Sequence, residues 1–105
     1  MSSETSQAST SSYSLPSNKC LSQAAKLSIV EDKPIMMDYW VDSLEKKVII
    51  GVKGENEKLL VRNEEEYTSP FENIYNGGPS EYLIVTQNSI YIVSSKIDAR
   101  RVSPN

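Results

Sequence analysis

Apolar residues fall in short runs separated by polar or glycine-rich breaks, and the clearest pair of runs lies in residues 81–97 (EYLIVTQNSIYIVSSKI). Apart from Leu83, residues 82–85 and 90–93 are β-branched or aromatic, with a short polar break at residues 86–89. That pattern predicts a β-hairpin. Both runs are apolar at consecutive positions rather than at alternate ones, so both strands are expected to be covered on two faces.

Upstream, residues 47–53 (KVIIGVK) and 58–62 (KLLVR) predict a second hairpin across the turn at residues 54–57, with Gly51 marking a bulge or a close backbone approach. Residues 35–41 (IMMDYWV) read as a first strand after Pro34, which removes a backbone donor and sets a boundary. Residues 24–31 fit either a short helix or an edge strand. In the connection at residues 63–79, Phe71, Ile74 and Tyr75 are spaced i, i+3, i+4 behind Ser69 and Pro70, which predicts one helical turn over residues 70–75. Asn76, Gly77, Gly78 and Pro79 end it. The fold expected is all-β: a small antiparallel meander of about five strands forming a partial barrel, with one helical turn and a disordered N-terminal tail.

Composition divides the chain. Serine and threonine dominate residues 1–23, where Tyr13, Leu15 and Leu21 are the large apolar side chains, and such a stretch cannot offset its ordering entropy. The expected organisation is a serine-rich flexible tail over residues 1–26, a β domain over 27–97 and a C-terminal tail over 98–105. The single cysteine, Cys20, cannot form an internal disulfide, which fits an intracellular setting. No secretory signal or membrane span is expected. The net charge is −3, and residues 27–97 carry seven basic against twelve acidic side chains, so direct nucleic-acid binding by the folded part is disfavoured.

The chemistry available is narrow. Histidine is absent, which removes the commonest general base and zinc ligand. Cys20 lies in the expected tail, where no partner base is expected to activate it. The triplet Glu64, Glu65, Glu66 is consecutive, whereas calcium loops alternate their ligands, so a solvated acidic loop is expected rather than a metal site. No cofactor is expected, and no catalytic residue. Tyr39, Trp40, Tyr67, Tyr75, Tyr82 and Tyr91 are many aromatics for one small domain. Most are expected in the core, with Tyr39 and Trp40, on the first strand near an edge, reaching a partner; Tyr67 and the acidic Glu64, Glu65 and Glu66 are the other expected partner-binding residues.

The blocks EEEYTSPFENIY (residues 64–75) and SEYLIVTQNSIYIVSSKI (residues 80–97), preceded by PIMMDYW and EKKVIIGVK, resemble a group of short uncharacterised proteins encoded by large nucleocytoplasmic DNA viruses of algae and amoebae. The resemblance implies a viral origin and a role as a virion component or accessory factor, located in the host cytoplasm or the particle. It carries over no catalytic residue. The function expected is a non-enzymatic interaction or assembly module, a minor virion structural protein that binds a protein partner or itself. The alternative is an acidic regulatory adaptor that binds a host or viral protein.

Overall fold

The computed structural model describes residues 14–102; residues 1–13 of the expected tail, and residues 103–105, lie outside the described residues. The first element falls where the tail was expected to continue. Helix α1 (Asn18–Glu31) starts at Ser17, whose hydroxyl accepts the Cys20 N–H at 3.1 Å. It ends where Asp32 turns left-handed at φ 57° and the Asp32 and Lys33 N–H groups both donate to the Ser28 carbonyl. The boundary expected at residue 26 therefore moves to the start of this helix. Its buried stripe is Cys20 and Ala24, extended by half-buried Leu27, at i, i+4, i+7. Two of those three are small, so the stripe does not resemble a core segment in sequence.

Seven strands follow or interrupt the helices among the described residues, in two sheets, rather than the five of a partial barrel. The first sheet contains β1 (Ile35–Met36), β4 (Phe71–Asn76), β5 (Glu81–Thr86) and β6 (Ile90–Ser94) in the order β1-β6-β5-β4. The second contains β2 (Ile49–Lys53), β3 (Glu57–Val61) and β7 (Ala99–Arg101) in the order β3-β2-β7. Both expected hairpins form: Leu83 opposes Ile92 and Ile84 opposes Tyr91 in β5–β6, and Ile50 opposes Leu60 in β2–β3. The meander expectation fails at β1 and β7, which pair in parallel with β6 and β2. β7 lies inside the segment expected as a C-terminal tail.

Two apolar layers explain the consecutive apolar runs. Ile84 and Val93 meet Tyr39, Val48, Leu60 and Ile97 in a core that joins the two sheets. The opposite face of the same hairpin, Leu83 and Ile92, packs on Cys20, Ala24 and Trp40 under α1. The β5–β6 hairpin is thus covered on both faces as its sequence implies, but by a helix on one side and a second sheet on the other, so nothing needs the sheets to close. Each fully buried Ile or Val there contributes roughly 1.5–3 kcal/mol from burial.

Two local expectations are corrected. The strand begun at Ile35 stops at Met36, because the Met37 carbonyl accepts the Trp40 N–H at 3.1 Å and the chain turns into α2 (Trp40–Leu44). The Ser43 hydroxyl holds α2 against β6, donating to the Trp40 carbonyl and accepting the Ser94 N–H at 2.9 Å. The helical turn expected over residues 70–75 is instead strand β4, with its register shifting between Phe71 and Asn73. That bulge inserts one residue, so Phe71 (opposite Thr86) and Ile74 (opposite Ile84) share a face although they are three apart. An i, i+3 spacing thereby sits on a strand.

Candidate interaction surfaces

The structure separates the expected partner-binding residues. Tyr39 and Trp40 are only 6% and 5% exposed and offer no contact surface. Tyr39 lies edge-on to Tyr91 with ring centroids 5.4 Å apart, and the Arg62 guanidinium stands 5.0 Å over its ring. Burial raises the Tyr39 and Tyr91 hydroxyls above the usual tyrosine range. The Trp40 indole N–H donates to the Ser14 carbonyl at 2.8 Å, so this side chain ties the described N-terminus down. These two aromatics are core because their backbone turns into α2 instead of running along a sheet edge.

Tyr67 and the glutamates do lie together at the surface. Tyr67 is 59% exposed, and Glu64, Glu65 and Glu66 are exposed beside it. The Asn63 side-chain carbonyl accepts the Glu65 and Glu66 N–H groups at 2.8 and 3.0 Å, a tight turn that projects the glutamates outward. Glu66 is partly neutralised by Arg62 at 3.9 Å, while Arg62 itself pairs with Asp42 at 2.9 Å.

Each sheet has two outer strands, β1 and β4 in the first and β3 and β7 in the second, and β4, with six residues, is the longest of them. The outer side of β3 is closed near its end, where Thr68 exchanges bonds with Leu60 through its N–H (2.9 Å) and its hydroxyl oxygen (3.0 Å). β4 has no strand on its far side. Because the Gly77 N–H donates to the Glu81 carbonyl at 2.9 Å, antiparallel alternation turns the backbone groups of Tyr75 and Asn73 toward β5 and those of Ile74 and Asn76 outward. No partner for those outward groups occurs among the described residues. The side chains of Ile74 and Tyr75 are 43% and 42% exposed. The other end of β4 is protected by the bulge and by Lys33, whose ammonium reaches Glu72 at 2.9 Å and the Thr86 carbonyl at 2.8 Å.

A second surface, invisible in sequence, is the outer face of the β3-β2-β7 sheet. It forms a half-open basin of about 880 Å³ with Ile49, Leu59, Val61 and Val102 among its walls. Gly51 underlies it, since a Cβ there would meet Val61 Cγ2 at 2.9 Å and Val102 Cγ1 at 3.1 Å. The register runs through Gly51 without the bulge offered as one reading, and the groups that crowd it are two valine side chains. Lysines and arginines from residues far apart in sequence line the rim.

Cys20 and Glu81 meet under α1. The buried Glu81 carboxylate accepts the Ser17 N–H at 2.8 Å and the Ser17 hydroxyl at 3.2 Å, holding the helix start against β5. Burial, reinforced by the Glu81 charge, pushes the Cys20 thiol up to about 11, where it is protonated and a poor nucleophile. Among the described residues no group of three or more Cys, Asp or Glu side chains converges as metal ligands do, and no helix is long and apolar enough to cross a membrane. No protein-family model matches the chain, and neither does any curated protein or solved structure compared with it.

Proposed function

We propose that the protein is a non-enzymatic interaction and assembly module that binds through strand addition at the outer edge of β4. The observation that supports this reading is the exposed Ile74–Asn76 end of that edge, where outward backbone groups are flanked by a large side chain on each face of the sheet. A strand from another chain would complete the hydrogen-bond ladder there and cover Ile74 and Tyr75, with backbone bonds giving affinity and the side chains giving selectivity. The protonated thiol at Cys20 and the absence of histidine from the sequence favour binding over covalent catalysis. Placing this module in a virus particle, as a minor structural component, draws its support from the resemblance carried by residues 64–75 and 80–97.

Photo-crosslinking tests the binding site. A benzoylphenylalanine at Tyr75 should give a discrete crosslinked species in cells that produce the protein, and the same group at exposed Lys19 should not. Equal yields at both positions, or none at Tyr75, would remove β4 as the site. Mass spectrometry of purified particles tests the placement separately: if the protein is missing from them, the virion role is lost while the strand-addition site stands.

A further inference from the structure

We infer that the outer face of the β3-β2-β7 sheet is a docking groove for an extended acidic segment that carries apolar side chains. This goes beyond strand addition at β4 and rests on a different sheet, so either can fail alone.

Charge is the first support. The chain is net acidic, yet the basin is lined by Lys46, Lys47, Lys53, Arg62 and Arg100 against Glu64. Two of the five cations are already engaged, Lys47 with Glu45 at 3.0 Å and Arg62 with Asp42 at 2.9 Å. Lys46, Lys53 and Arg100 have no ion-pair partner among the described residues. Glu57 stands opposite Lys53 across the ladder without pairing to it. Three uncommitted cations around one concave surface make a local positive field on a protein whose remaining surface is acidic, and such a field selects an anionic partner.

The floor decides which kind of anion. Between the cations it is aliphatic, built from Ile49, Leu59, Val61 and Val102, with Gly51 allowing the two valines to close over β2. Single-stranded nucleic acid would need several aromatic platforms and a longer track of cations, and the basin offers one aromatic, Tyr67. An anionic membrane surface is met by protruding apolar side chains, whereas these are recessed. An acidic peptide with apolar residues between its carboxylates matches both the rim and the floor. Its carboxylates would reach Lys46, Lys53 and Arg100 while its apolar side chains cover the valines and Tyr67.

The test uses a short fluorescein-labelled peptide of alternating Asp and Leu, followed by fluorescence anisotropy on the full chain. Saturable binding is expected, weakening about tenfold as salt rises from about 50 to about 300 mM. The double variant Lys53→Glu with Arg100→Glu should weaken it about tenfold or more. The pair Lys19→Glu with Lys26→Glu, which changes net charge equally on exposed α1 positions, should leave it within about twofold. Circular dichroism checks that each variant is folded, and Lys53 alone serves if the double variant is not. The inference is overturned if the peptide does not saturate, if both charge pairs weaken it equally, or if a peptide of Asp and Gly binds as well as the Asp–Leu one. Tighter binding of oligothymidylate or of phosphatidylserine vesicles would overturn it too. So would a dimer in sedimentation that Lys53→Glu with Arg100→Glu dissolves, because the occupant would then be a second copy.

Discussion

Cys20 shows how far a residue's neighbours decide its chemistry. In sequence it stands in a serine-rich stretch and reads as incidental; in the fold it is fully buried beside Glu81 and Gly77. Its thiol is raised from 9.0 to about 11, first by burial and then by the Glu81 charge. A group whose pKa rises on folding stabilises the native state below its unfolded pKa and loses that contribution as pH climbs through the folded one. The Cys20 contribution is therefore complete below pH 9 and fades toward about pH 11. Chemical denaturation at stepwise alkaline pH should show stability falling across that window, and Cys20→Ala should reduce the slope while leaving the share due to Tyr39 and Tyr91. An unchanged slope in Cys20→Ala would show that the thiol is not held as described. A second readout is the rate of modification by a thiol reagent, expected at least about a hundredfold below that of the unfolded chain from the thiolate fraction alone. Glu81 has the same lesson in reverse: in sequence it is one charge at a strand start, and in the fold it is the acceptor that seats Ser17.

Elements were legible where the apolar pattern was strong and illegible where small residues or a bulge disguised it. The β5–β6 hairpin and its two covered faces follow from residues 82–85 and 90–93, because large side chains on both sides of a strand have no other use. α1 was missed over residues 18–23 because its contact stripe consists mainly of small side chains. Small residues suit a helix that lies close to a sheet, and the approach is tight: a Cβ on Gly77 would fall 3.0 Å from Cys20 Sγ and 3.0 Å from Leu83 Cγ. Gly77→Ala should therefore cost about 1–3 kcal/mol by overpacking, and Cys20→Ala in the same chain should recover part of that cost. Strict additivity of the two in a denaturation double-mutant cycle would mean that α1 and the β4–β5 turn do not meet there. β4 was misread as a helical turn because the bulge at Glu72 mimics helical spacing, and β7 carried no apolar pattern at all.

At the scale of the whole molecule, charge read along the sequence and charge seen in space disagree. The acidic triplet at Glu64 to Glu66 is visible as a run, while the basic rim draws on Lys46, Lys53 and Arg100, which no sequence window contains together. The expected binding residues divide the same way: Tyr67 and the glutamates are at the surface, Tyr39 and Trp40 form the interior, and the longest edge strand is β4. Function by docking then depends on whether that edge is free when the protein is alone. Residue-resolved amide hydrogen exchange on the monomeric protein tests this most directly. Slow exchange is expected through β5 and β6, with an alternating pattern in β4 in which Asn73 and Tyr75 are protected and Ile74 and Asn76 exchange within about tenfold of an unstructured chain. Uniform protection from Asn73 to Asn76 in the monomer would mean that the edge is already covered, and strand addition there would be contradicted.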